Sequence, residues 1–118
     1  MINFKKLYLS FKRAFCGLKI AILEEQTFKT QVIVAILVLV LIFYFPLTTL
    51  KRVVLILTII LVLGLELINS QVERILDVLD PKFNVHIKRI KDLSAAAVLL
   101  ASLGSVVVGL LIFLPYIW

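Results

Sequence analysis

Five residues in one stretch of the chain are of the right types and spacing to do chemistry. In "LVLGLELINSQVERILDVLD" (61–80), Glu66, Asn69, Ser70, Glu73 and Asp77 interrupt a run of Leu, Ile and Val. An ionised carboxylate in hydrocarbon costs roughly 2.5–3.5 kcal/mol even on a lenient insertion scale, so its presence there needs a cause. On a helix turning 100° per residue, with Glu66 as zero, Asn69 falls at about −60°, Glu73 at about −20°, Asp77 at about +20° and Ser70 at about +40°. The five make one stripe about 100° wide, which implies a face turned to a wet, protein-lined site and away from lipid. Glu66 and Glu73 lie about 10 Å apart along such a helix, too far to share one metal ion easily. They divide the labour instead: a deep carboxylate suits proton transfer and a shallow one suits a hard cation.

The elements that must hold this stripe follow from composition. The chain has 118 residues, 63% of them hydrophobic, more than a soluble domain of that size can bury. Residues 32–50 carry no charge and can cross about 30 Å of hydrocarbon as a helix, with Pro46 near their end. A second apolar run starts after Lys51-Arg52, expected as a tight connection, and its helical pattern continues to about Leu79, before Asp80-Pro81. Residues 82–91 read as a short basic connection. The third span, through Trp118, is rich in small residues, among them Ser94, Ala95, Ala96, Ala97 and Gly104, which let helices approach closely in lipid. Ahead of these runs, Phe4, Leu7, Tyr8, Phe11, Phe15, Leu18 and Ile22 recur every three or four residues among lysines, the pattern of an amphipathic helix on the membrane surface. The expectation is an all-α integral membrane protein of one domain, 1–118. It has a surface helix at 1–30 and spans at 31–50, 52–79 and 91–118.

Charge sets the orientation. Six Lys or Arg precede the first span, two lie between the first and second, and five flank the connection to the third. The positive-inside rule then puts the N-terminus and the second connection in the cytoplasm, with all seven carboxylates in that half. The net charge of +6 fits anionic headgroups, and nucleic acid is not expected as a partner. The first apolar run begins behind a long charged segment, so no cleaved signal peptide is expected. Cys16 is the one cysteine and excludes an intrachain disulfide. Glu24, Glu25, Lys91 and Asp92 meet the cytoplasmic end of the stripe by topology. Carboxylates with Lys there suit Mg²⁺ held partly by phosphate oxygens. The chain contains neither GxxxxGK[ST] nor HExxH, so a nucleotide would be held by side chains and helix faces. Tyr116 and Trp118 read as an interfacial anchor, and His86 has no second donor at metal spacing. The residues alone leave open a proton- or ion-translocating subunit and a small scaffold. The first does not need Glu73, Asp77, Glu25 and Lys91 on one face, and the second predicts no stripe.

"ELINSQVERILD" (66–77) followed by "KDLSAAAVLLAS" (91–102) resembles the prokaryotic diacylglycerol kinase family, which includes the undecaprenol kinases. "GLKIAILEEQTFK" (17–29) resembles that family's surface-helix segment. The resemblance implies a MgATP-dependent lipid kinase in the bacterial cell membrane, a homotrimeric helical bundle with active sites shared between subunits and open to the cytoplasm. It implies diacylglycerol or a polyprenol as substrate. Residue by residue, it makes Glu66 the catalytic base and Glu25 and Glu73 the metal ligands. Asn69, Ser70 and Ala95 then lie beside the lipid, and Lys6, Arg13, Glu25, Glu73, Asp77, Lys91 and Asp92 beside ATP. Arg13 stands where many members have Tyr, Asn84 departs from an aromatic-His pair, and Gln31 replaces a polar or acidic residue.

Overall fold

The computed structural model describes residues 1–79 and 85–118 and is all helix, with no strand among the described residues. Four helices follow in order: α1 (Phe4–Glu24), α2 (Gln26–Tyr44), α3 (Thr49–Leu79) and α4 (Val85–Ile117). The last three are long and apolar enough to cross a membrane. The Cα radius of gyration is 17.6 Å, well above the roughly 13–14 Å of a compact soluble chain of this length. Large apolar side chains from Phe4 to Trp118 stand exposed, as befits a chain whose solvent on most faces is lipid.

Each boundary has a local cause. α1 opens on Asn3, whose Oδ1 accepts from the Lys6 N–H at 3.2 Å. It ends at Glu24, short of the expected residue 30, because Glu25 leaves the helix (φ −99°, ψ 104°) and α2 starts at once. No Gly or Pro marks the break, which falls where one-faced amphipathicity gives way to an all-round apolar helix. α1 packs on α2 and buries one residue, Ala21. α2 stops at Tyr44 rather than running to 50, since Phe45 turns extended ahead of Pro46. Thr48 caps α3, its Oγ1 accepting from the Lys51 N–H at 3.3 Å, so Lys51 and Arg52 lie in the first helical turn and not in a loop.

Cations at a helix N-terminus oppose its dipole. Arg52 escapes this by reaching back to the C-terminal end of α2, where it donates to the Ile42 carbonyl (3.3 Å) and the Phe45 carbonyl (3.4 Å). Around it lies the main apolar cluster, Ile42, Leu47 and Leu55, with Phe113 and Tyr116 of α4 packed against it. Tyr116 thus joins the packing at this end. Its hydroxyl accepts from Lys51 Nζ at 3.2 Å, while Trp118 is fully exposed. α3 ends at Leu79; the Asp80-Pro81 stop and the departure at Asn84 fall among residues 80–84, outside the described residues. α4 begins at Val85, so most of the expected basic connection is helix. A Cβ at Gly64, Gly104 or Gly109 would meet nothing within 4 Å, so these glycines do not mediate close helix approach within the chain.

Candidate active site

The stripe lies on the half of α3 farthest from the Arg52 cluster. Glu66, Asn69 and Ser70 are 4%, 7% and 3% exposed, and they are the buried polar residues of the chain's described part. One turn on, Glu73 is exposed, and so is Asp77 beyond it, so the face runs from buried to open over about 16 Å of helix. Asn69 bridges the two zones, its Nδ2 donating to Glu73 Oε1 at 3.5 Å. Its Oδ1 is buried and receives no hydrogen bond. Buried side-chain carbonyls are ordinarily paired, so this one has the capacity to accept a hydrogen bond from a group outside the described residues.

Glu25 reaches the same region from the α1–α2 junction. Its Oε1 accepts from Arg74 Nε at 2.7 Å and lies 2.6 Å from Arg74 Nη2. Arg74 directly follows Glu73 in α3, so this pair sets Glu25 beside the exposed end of the stripe. From α4, Lys91 Nζ meets Asp77 Oδ1 at 2.5 Å. The structure therefore brings together Glu66, Asn69, Ser70, Glu73, Glu25, Asp77 and Lys91, drawn from three separate parts of the chain.

Other expected site residues stand apart. Asp92 is exposed and pairs with Lys88 at 3.7 Å, one turn back on its own helix. Lys6 and Arg13 are exposed on α1, and neither side chain makes a hydrogen bond or ion pair among the described residues. Ala95 is exposed on α4. Among the described residues no three His, Cys, Asp or Glu side chains gather to hold a metal. Glu73, on the stripe, and Glu25, paired with Arg74 one residue further along α3, offer hard oxygen ligands. Such a set fits Mg²⁺ delivered on phosphates, because Mg²⁺ takes one or two protein carboxylates beside substrate oxygens.

Arg74 is not among the expected site residues, and Gln31 stands there only as a departure from the family pattern. Arg74 follows Glu73 and sits about 80° from Glu66 on a helical wheel, at the edge of the stripe; that phase was the available signal. Gln31 lines an apolar cleft of about 500 Å³ between α2, α3 and α4, together with Leu63, Thr58, Ser102 and Ser105. Its Oε1 is buried and unpaired.

Comparison with known proteins bears on what such a site is for. The family model described as prokaryotic diacylglycerol kinase matches residues 12–113. A protein named diacylglycerol kinase from Helicobacter pylori is 35% identical over 116 residues, 98% of this chain and 84% of that one. The diacylglycerol kinase of Escherichia coli K12 is 30% identical over 91 residues, 77% of this chain and 75% of that protein. The undecaprenol kinase of Bacillus subtilis is 31% identical over 110 residues, 93% of this chain and 89% of that one. With the match running from the surface helix through the stripe to the last span, the chain belongs to the prokaryotic diacylglycerol kinase family.

Proposed function

We propose that this chain transfers the γ-phosphoryl group of ATP to the primary hydroxyl of a membrane lipid alcohol, with diacylglycerol as the main substrate and phosphatidic acid as product. The observation that carries the reading is the buried pair on α3: a carboxylate, Glu66, beside an Asn69 carbonyl that lacks a donor, in a helix otherwise built for lipid. The single hydrogen of a lipid hydroxyl goes to Glu66 as base, and the unpaired Asn69 carbonyl marks this face as one that receives a polar group.

The hydroxyl oxygen attacks the γ-phosphorus as Glu66 takes its proton, and the bond to the β-phosphate oxygen breaks to leave ADP. Asn69 holds Glu73 through its amide, with Ser70 and Ala95 alongside the lipid. Mg²⁺ bound with the nucleotide, held by Glu73 and Glu25, would neutralise charge on the transferring phosphates. Lys91, delivered to the stripe by its pairing with Asp77, faces the phosphate charge, with Asp92 near the nucleotide. Lys6 and Arg13 contact ATP from α1. Both are exposed and make no hydrogen bond or ion pair among the described residues, and a homotrimer with sites shared between subunits would let them serve a neighbouring copy's site. The lysine and arginine distribution supports a cytoplasmic N-terminus and site in the bacterial cell membrane.

Undecaprenol is the second reading, favoured by the 31% identity to the Bacillus subtilis enzyme over 93% of this chain. The experiment is phosphorylation by the purified chain in bilayer discs, with MgATP and either diacylglycerol or undecaprenol. Phosphatidic acid formation that needs both Mg²⁺ and diacylglycerol is the expected result. Polyprenyl phosphate alone would move the assignment to the second reading. ATP turnover indifferent to any lipid alcohol would sink both.

A further inference from the structure

Glu25 combines two features that phosphoryl transfer by itself does not explain. It is the one residue outside a helix between α1 and α2, so it forms the hinge where the surface helix meets the first span. Its carboxylate also sits on a guanidinium from a helix 49 residues further on, with both Arg74 contacts falling on Oε1. α1 packs chiefly on α2 and buries little, so this pair is the side-chain tie between the hinge and α3. The carboxylate assigned to a divalent cation is therefore already neutralised, by a group that does not lose its charge at any physiological pH. Arg74 and Glu25 are 43% and 24% exposed, and an ion pair so open to solvent exchanges readily.

We propose that Arg74 is a positioning residue that holds Glu25, and with it the α1–α2 hinge, until a divalent cation displaces it from the carboxylate. The proposal rests on the lipid-kinase reading only in giving Glu25 to the cation. Displacement swaps one cation for another on the same oxygen. The site is thus spared a bare pair of carboxylates at Glu25 and Glu73 before nucleotide arrives, and metal loading is coupled to release of the hinge.

The test is Mn²⁺ binding, read by electron paramagnetic resonance, to the full chain in phosphatidylcholine discs without nucleotide. Arg74→Ala should tighten Mn²⁺ binding about two- to five-fold, the scale on which an exposed ion pair competes. Arg74→Lys should stay near wild type, and the gain should vanish in Arg74→Ala/Glu25→Gln. An arginine that only braces the fold gives the opposite sign, because losing it slackens the hinge and weakens binding. Unchanged or weaker Mn²⁺ binding in Arg74→Ala, with Glu25→Gln still lowering affinity, overturns the displacement role and leaves Glu25 a ligand. No effect of Glu25→Gln in either background removes Glu25 from the metal and the inference with it.

Discussion

The two ends of the helical bundle treat polar groups in opposite ways. At the Arg52 end every cation is satisfied. Arg52 donates to two α2 carbonyls and lies over Phe43, 5.7 Å from the ring centroid. Lys51 donates to Tyr116 and sits 5.1 Å from its ring centroid. These contacts surround the best-buried apolar cluster, so the end reads as the part that fixes the fold. At the Glu66 end a buried carboxylate adjoins an unpaired carbonyl, and the ion pairs lie open to solvent. Groups left unsatisfied at one end and saturated at the other teach that stability and chemistry are separated along the bundle axis.

That separation can be broken from either side. The largest effect belongs to Glu66→Gln, which keeps size and polarity but removes the base; turnover should fall about 10²–10⁴-fold, measured as lipid phosphate formed. Retained turnover would take Glu66 out of the base role. Next come Glu73→Ala and Glu25→Ala, for which the apparent KM for Mg²⁺ should rise and excess Mg²⁺ should restore part of the rate. A rate indifferent to Mg²⁺ in both variants would return these residues to the surface. At the opposite end, Ile42→Ala leaves a cavity in the tightest part of the cluster and should cost about 2 kcal/mol or more, seen as a lower melting temperature with KM values intact. Arg13→Ala asks whether α1 belongs to the chemical end: KM for ATP should rise several-fold and KM for lipid should hold. The smallest effect is on stability in Asp77→Asn, where an exposed pair with Lys91 supplies about 0–1 kcal/mol, below what a melting curve resolves.

Much of this arrangement was legible in the residues. Hydropathy placed three apolar helices, and the 100° phase put Glu66, Asn69 and Ser70 on one face, which is the face α3 buries. What escaped was tertiary. The break at Glu25 has no Gly or Pro to announce it, because the cause is a change in the direction of the chain and not in local propensity. Lys51 and Arg52 look like a loop by charge, yet they are helical because Thr48 caps the turn and the α2 carbonyls take up the guanidinium. The early start of α4 at Val85 was hidden by basic residues that a helix end outside hydrocarbon accepts freely. Arg74 was within reach of a helical wheel, but its partner Glu25 lies 49 residues away, and no spacing rule links them.

The central claim is that folding and chemistry occupy opposite ends of one bundle, and it is tested most directly by measuring melting temperature and lipid phosphorylation together on Glu66→Gln and Arg52→Ala in the same bilayer discs. Glu66→Gln should lose its turnover while melting no lower than wild type, since it takes a charge out of a buried position. Arg52→Ala forfeits two charged hydrogen bonds and should melt several degrees lower, with near-normal turnover well below that temperature. If both variants lose stability and turnover in parallel, the two ends are not separate and the account is wrong.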